Sequence, residues 1–190
     1  MLGSKNGISI RFPEKMVRAM GRTAGGVYGM KLRDGDEVRD MVIVGPGATV
    51  LTVCERGHGK RTSFDEYRIQ SRGGFGIINI KTTARNGKVV AMRAVTDTDD
   101  VIIITSKAMV VRSSVGQIST IGRATQGVRL MNVEEGDEVV AVAVISEEER
   151  RDAQTAQVEQ VEATGEVLPE ATGESPEPET PEEETPEAGG

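Results

Sequence analysis

Three copies of one pattern, spaced 50 and 51 residues apart, constrain this chain more than any other feature. Gly21–Val27 (GRTAGGV), Ser71–Ile77 (SRGGFGI) and Gly122–Val128 (GRATQGV) align so that an arginine moves from 22 to 72 to 123 and a glycine from 26 to 76 to 127. The flanks repeat as well. Asp34–Val38 (DGDEV) recurs as Glu135–Val139 (EGDEV), with Asn86–Val90 (NGKVV) between them. Gly7–Phe12 (GISIRF) aligns with Gly59–Phe64 (GKRTSF) and more loosely with Ala108–Ser113. A period of this length is that of a repeat architecture, in which each unit buries its apolar faces only against its neighbours.

Within a repeat the local signal is β. Short Val/Ile-rich runs lie between Gly, Asp and Asn, as strands and tight turns require. Strands are expected at 50–53, 59–64, 75–81 and 88–95, and again at 100–105, 109–113, 127–133 and 138–145. Asn86-Gly87 and Glu135-Gly136 are the expected tight turns, and 14–20 has room for one helical turn. Four strands in such a period make one propeller-type blade. The reading is therefore all-β: residues 1–145 form three four-stranded blades, 1–45 (truncated), 46–95 and 96–145. The first blade lacks an obvious opening strand, whose counterpart is expected at or before Met1. Closed propellers usually need four or more blades. This suggests either a C-terminal piece of a longer protein or a short chain that closes a ring by self-association.

Charge divides the chain in the same place. Residues 1–145 carry 21 Lys+Arg against 15 Asp+Glu, a net of +6, and residues 146–190 carry 2 against 15, a net of −13. The second segment repeats Glu, Pro, Thr and Gly, as in Pro176–Pro186. Such a composition buries too little apolar surface to offset ordering entropy, so a disordered acidic tail is expected over 146–190, with a few helical turns from Glu147 towards Val161. No apolar run approaches the roughly 20 residues of a membrane-spanning helix, and a cytoplasmic location without a membrane partner is expected.

The residues exclude several chemistries. His58 is the only histidine, so neither a histidine triad nor a multi-histidine metal site can form within the chain. Cys54 is the only cysteine and sits in an apolar run, as a buried strand residue does. Asp34-Gly35-Asp36-Glu37 fits a solvated turn, without the spacing of a calcium loop. Arg72–Gly76 is glycine-rich but lacks the Lys-Ser/Thr ending and the following helix of a phosphate-binding loop.

The basic residues are more informative. Arg22, Arg72 and Arg123 recur at blade period, each four residues before a glycine that opens a strand. Around them fall Arg11, Lys15 and Arg18, then Lys60, Arg61 and Arg68, then Lys107, Arg112 and Arg129. A ring of blades would repeat these as a positive belt. Such a belt binds phosphates in a sequence-independent, salt-sensitive way, with the neighbouring glycines letting backbone amides approach. The competing reading is a protein-binding propeller whose arginines only keep strand edges soluble.

Ile10–Pro13, Met20–Val27, Gly35–Val38 and Ile121–Val128 resemble the C-terminal domain of the DNA gyrase A family, in order and across essentially all of residues 2–145. The resemblance implies a six-bladed β-pinwheel, of which this chain would hold the last three blades. It also implies double-stranded DNA wrapped on a basic rim in support of ATP-dependent negative supercoiling by a type II DNA topoisomerase. The implied partners are the rest of gyrase A and gyrase B, in an A2B2 complex. ATP and Mg would be handled by gyrase B and the catalytic core. This chain would bind no cofactor or metal and, without the catalytic tyrosine, would not be catalytic. An acidic tail that modulates wrapping occurs in some members. The family carries a Gln-Arg-Arg-Gly-Gly-Lys-Gly heptad in its first blade. Gln70, Arg72, Gly73, Gly74 and Gly76 match it, while Ser71 and Phe75 depart, so this segment is a degenerate equivalent. The related C-terminal domain of topoisomerase IV is the alternative within the same resemblance.

Overall fold

The computed structural model describes residues 1–153 and 155. Its first compact unit, Met1–Asp152, holds all the sheets; of the second, Ala153–Gly190, only 153 and 155 are described. The strands are β1 (Leu2–Ser4), β2 (Ile8–Ile10), β3 (Val38–Met41), β4 (Thr49–Cys54), β5 (His58–Ser63), β6 (Ile77–Ile78), β7 (Val89–Val95), β8 (Asp100–Thr105), β9 (Val110–Ser114), β10 (Val128–Arg129) and β11 (Val139–Ile145). They form three antiparallel sheets ordered β3-β1-β2-β6, β10-β5-β4-β7 and β11-β8-β9. Strands thus cross between repeats. β6 belongs to the second repeat but completes the first sheet, and β10 of the third repeat completes the second. The third sheet has no fourth strand among the described residues.

Alternation along β4 explains why the sheets stack. Successive side chains point to opposite faces. Val50 and Cys54 enter a core with Met1, Val42, Phe64, Tyr67, Ile80 and Met92, against the first sheet. Leu51 and Val53 enter a second core with Val101, Ile103, Val115, Ile118, Met131 and Val142, against the third. The middle sheet is buried on both faces, so its strand reads as a continuous apolar run. Thr52, the one fully buried threonine of β4, accepts a bond from Asn79 Nδ2 (2.9 Å), and Asn79 Oδ1 in turn accepts from the Tyr67 hydroxyl (2.5 Å). Burial pushes the Tyr67 phenol up to about 12.

Two sequence expectations are corrected. The opening strand of the first repeat is not at or before Met1: it is β1, shortened to three residues. The alignment of Gly7 with Gly59 is two residues out. The structural equivalents are Gly7, Gly57 and Ala108, which turn the first hairpin of each repeat at φ of 82°, 70° and 64°. In each, the amide donates three residues back, to Ser4, Cys54 and Thr105. Left-handed backbone favours glycine, and Ala108 is the only described non-glycine residue to adopt it. The helical turns expected from Glu147 are present over 147–153. Ser146 and Glu149 start it as a capping box: Ser146 Oγ accepts from the Glu149 amide (3.2 Å) and Glu149 Oε2 from the Ser146 amide (2.8 Å). The rest of the expected tail, except residue 155, lies outside the described residues. No helix among the described residues is long and apolar enough to cross a membrane.

Candidate nucleic-acid interface

Each repeat makes one long excursion between its second and last strands. It opens with a 3-10 turn, at Glu14–Met16, Phe64–Glu66 and Val115–Gln117. In the second and third repeats it then crosses to the preceding sheet and adds β6 or β10. Gly7 O accepts from the amides of Asn79 (2.8 Å) and Ile80 (3.2 Å), and Gly57 O accepts from Leu130 and Met131 at the same two distances. The repeated glycine permits this docking. A Cβ at Gly76 would lie 2.3 Å from Ser9 O, and one at Gly127 would lie 2.6 Å from Gly59 O. These glycines therefore face a neighbouring strand, not solvent phosphate as the sequence suggested.

Part of the expected basic belt is turned inward. Lys60 is fully buried, and its ammonium donates to Gly122 O (2.6 Å) and Arg123 O. Burial first, and the charge of Arg123 second, pull its pKa down to about 8. Arg61 is 7% exposed; its Nε donates to Ile118 O (2.8 Å) and Nη1 pairs with Asp97. Arg11 does the same one repeat earlier, with Nη1 donating to Phe64 O (2.6 Å) and Tyr67 O (3.4 Å). Arg112 is the third member of this series. With no following excursion among the described residues, it turns back on Asp100 through Nε (2.9 Å) and Nη2 (2.6 Å). For Arg11, Lys60 and Arg61 the physical reason is the same: carbonyls of the excursion docked from the next repeat need donors, and a basic strand side chain supplies them.

The 22/72/123 series is intermediate. Arg72 donates to Met16 O (3.0 Å) and Tyr28 O (3.2 Å), and Arg123 to Ile78 O (2.8 Å) while lying over the Tyr67 ring. Both brace the excursion of the preceding repeat. Arg22 has no such neighbour and is exposed. Arg18 and Arg68, equivalent to each other, are exposed without hydrogen bonds among the described residues, and Arg129 is exposed with one bond to Asn132 (3.3 Å). Sequence reasoning missed Lys31 and Lys81, exposed and 50 residues apart, each donating its amide to the neighbouring excursion at Gly74 O or Thr125 O. Their recurrence at the repeat period was the available signal.

The heptad-like segment is committed to the same packing. The Gln70 amide donates to Arg11 O (2.8 Å), the Gly73 amide to Gly29 O (2.7 Å), and Gly74 O accepts from Lys31. Phe75, where the motif has a basic residue, is exposed and lies 5.7 Å from the Lys31 ammonium. His58 is buried, with Nδ1 against Arg56 O (3.0 Å). The Cys54 thiol is pushed up to about 12, first by burial and then by Glu55. Asp36 Oδ1 accepts from the amides of Asn6 and Glu37, as a turn-capping carboxylate does. Among the described residues no cluster of His, Cys, Asp and Glu is arranged to hold a metal.

Residues 1–44, 49–96 and 99–146 match a family model described as the DNA gyrase C-terminal domain, beta-propeller. The DNA gyrase A of Salmonella typhimurium (strain LT2) is 43% identical over 174 residues, which is 90% of this chain and 20% of that protein. The chain thus spans about a fifth of that relative's length. A solved DNA gyrase A C-terminal domain superposes with a TM-score of 0.71 at 28% identity, covering 76% of this chain and 50% of that one. The solved C-terminal domain of DNA topoisomerase IV gives 0.75 at 24% identity over 84% and 50%, a likeness of fold alone.

Proposed function

Because the chain belongs to the DNA gyrase C-terminal β-propeller family, we propose that it is a DNA-binding and DNA-wrapping module of a gyrase A protein. In this reading it acts in the cytoplasm on double-stranded DNA and works with the rest of gyrase A and with gyrase B, which supply the ATP-dependent strand passage of supercoiling. The observation that carries the proposal is the recurrence of exposed basic side chains on equivalent excursions: Arg18 with Arg68 and Lys31 with Lys81, with Arg22 and Arg129 exposed as well. Successive blades would present them in sequence along a bent duplex, and phosphate contacts so spaced offset the elastic work of bending. The relatives matched at 42–45% identity are gyrase A proteins, which favours the gyrase assignment.

The test is duplex affinity as a function of salt for the full chain and for an Arg18→Ala, Arg22→Ala, Arg68→Ala variant. Each lost phosphate contact lowers the slope of log K against log salt by about 0.9, so the triple variant should lose two to three such increments while remaining folded. An unchanged slope rejects these residues as the interface. Absence of duplex binding by the folded wild-type chain at low salt would favour a protein-binding propeller.

A further inference from the structure

We propose that Phe75 is an apolar contact of the DNA surface, its ring packing on the deoxyribose next to the phosphate held by Lys31. This inference rests on the duplex-binding reading and adds to it a contribution to affinity that salt does not screen. Phe75 lies in the second repeat's excursion and is 56% exposed, with the Lys31 ammonium 5.7 Å from the ring centroid. The second repeat has a neighbouring repeat on each side, and neither covers the ring. A cation held over an aromatic face keeps the ring extended beside it. A phosphate taken by Lys31 therefore brings the adjoining sugar against Phe75. Contacts to phosphate and sugar fix a protein on a duplex without reading its sequence.

Packing between the repeats does not call for an aromatic residue at this position. Its equivalents in the other two repeats are Gly25 and Gln126. The backbone docks alike at both junctions: the Lys31 amide donates to Gly74 O and the Lys81 amide to Thr125 O, each at 2.8 Å. At the second junction the position is closed by polar groups, with Thr83 Oγ1 donating to Gln126 Oε1 (3.4 Å). At the first junction Arg33 stands where Thr83 does, and its exposed side chain has no hydrogen bond or ion pair among the described residues. Lys31, Arg33, Phe75 and Ile78 border an open concavity of about 120 Å³. Asp36, the one carboxylate lining it, is turned to the amides of Asn6 and Glu37. Two cations beside an exposed ring match the alternation of phosphate and sugar along a DNA strand. The occupant is a duplex because Lys31 belongs, with Lys81, to the series of exposed basic side chains that recurs at the repeat period.

Duplex affinity of the full chain across a salt series reads this contact. Phe75→Ala should weaken binding about fivefold at every salt concentration, the effect of returning roughly 40 Å² of apolar surface to water, with the salt slope unchanged. Lys31→Ala should make the slope shallower by about 0.9, and Phe75→Lys should make it steeper by about 0.9. Both side chains are exposed, so circular dichroism should be that of the wild type in all three variants. A Phe75→Ala variant that binds as tightly as the wild type, or whose slope falls with its affinity, would overturn the proposal and leave the duplex-binding reading intact. So would a Phe75→Lys slope equal to that of the wild type. A folded wild type that binds no duplex removes that reading and the proposal together. Tighter binding of polyglutamate than of duplex at equal salt, lost in Phe75→Ala, would assign the ring to an acidic peptide instead.

Discussion

Replacing Arg61 with alanine separates an arginine that holds the blades together from one that holds DNA. The side chain is buried, with Nε donating to Ile118 O at 2.8 Å. Removing it leaves that carbonyl, on a residue 6% exposed, without its charged donor. A hydrogen bond from a charged group contributes about 1.5–3 kcal/mol, and losing the buried aliphatic stem adds roughly 1–2 kcal/mol. The pair with Asp97 adds little, because that carboxylate is 80% exposed. The backbone bonds of Arg61 to Ser119 and Ile121 survive the change. The expected loss is therefore about 3–4 kcal/mol. With a urea dependence of about 2 kcal/mol/M, the unfolding midpoint falls by roughly 1.5–2 M. Conversely, the salt slope of duplex binding by the folded variant should equal that of the wild type. An unchanged midpoint together with a slope reduced by about 0.9 would refute the reasoning and return Arg61 to the DNA surface.

Two further outcomes are expected. Lys60 has a folded pKa of about 8 against an ordinary value of 10.5, so between these the folded state binds fewer protons than the unfolded state and stability rises with pH. The urea-derived stability of the wild type relative to Lys60→Met should increase by on the order of 1 kcal/mol from pH 7.5 to 9, and a pH-independent difference would rule this out. Gly127→Ala should destabilise by about 3 kcal/mol, from its left-handed backbone and the contact with Gly59 O. Gly136→Ala, with a φ of 73° but nothing within 4 Å, should cost only about 1 kcal/mol; equal midpoint shifts would deny the packing role.

The period, most of the strand segments and the turns at Asn86-Gly87 and Glu135-Gly136 were legible in the amino-acid order alone, because these depend on local rules, whereas the strands expected at 75–81 and 127–133 shrink to Ile77–Ile78 and Val128–Arg129. Val and Ile runs extend the backbone, and the glycines at 87 and 136 accept positive φ. The order of motifs also carried enough of the family pattern to indicate the fold. Which basic residues face water depends instead on how the repeats dock. Arg11, Lys60, Arg61, Arg68 and Arg129 look alike as bare charges. The first three lie where the next repeat's excursion lands, and its carbonyls draw them inward, while the last two remain exposed. The glycines at 76 and 127 were legible as required, but the reason was not. Strand alternation says which residues share a face, and only the docking of a neighbouring repeat says what that face meets.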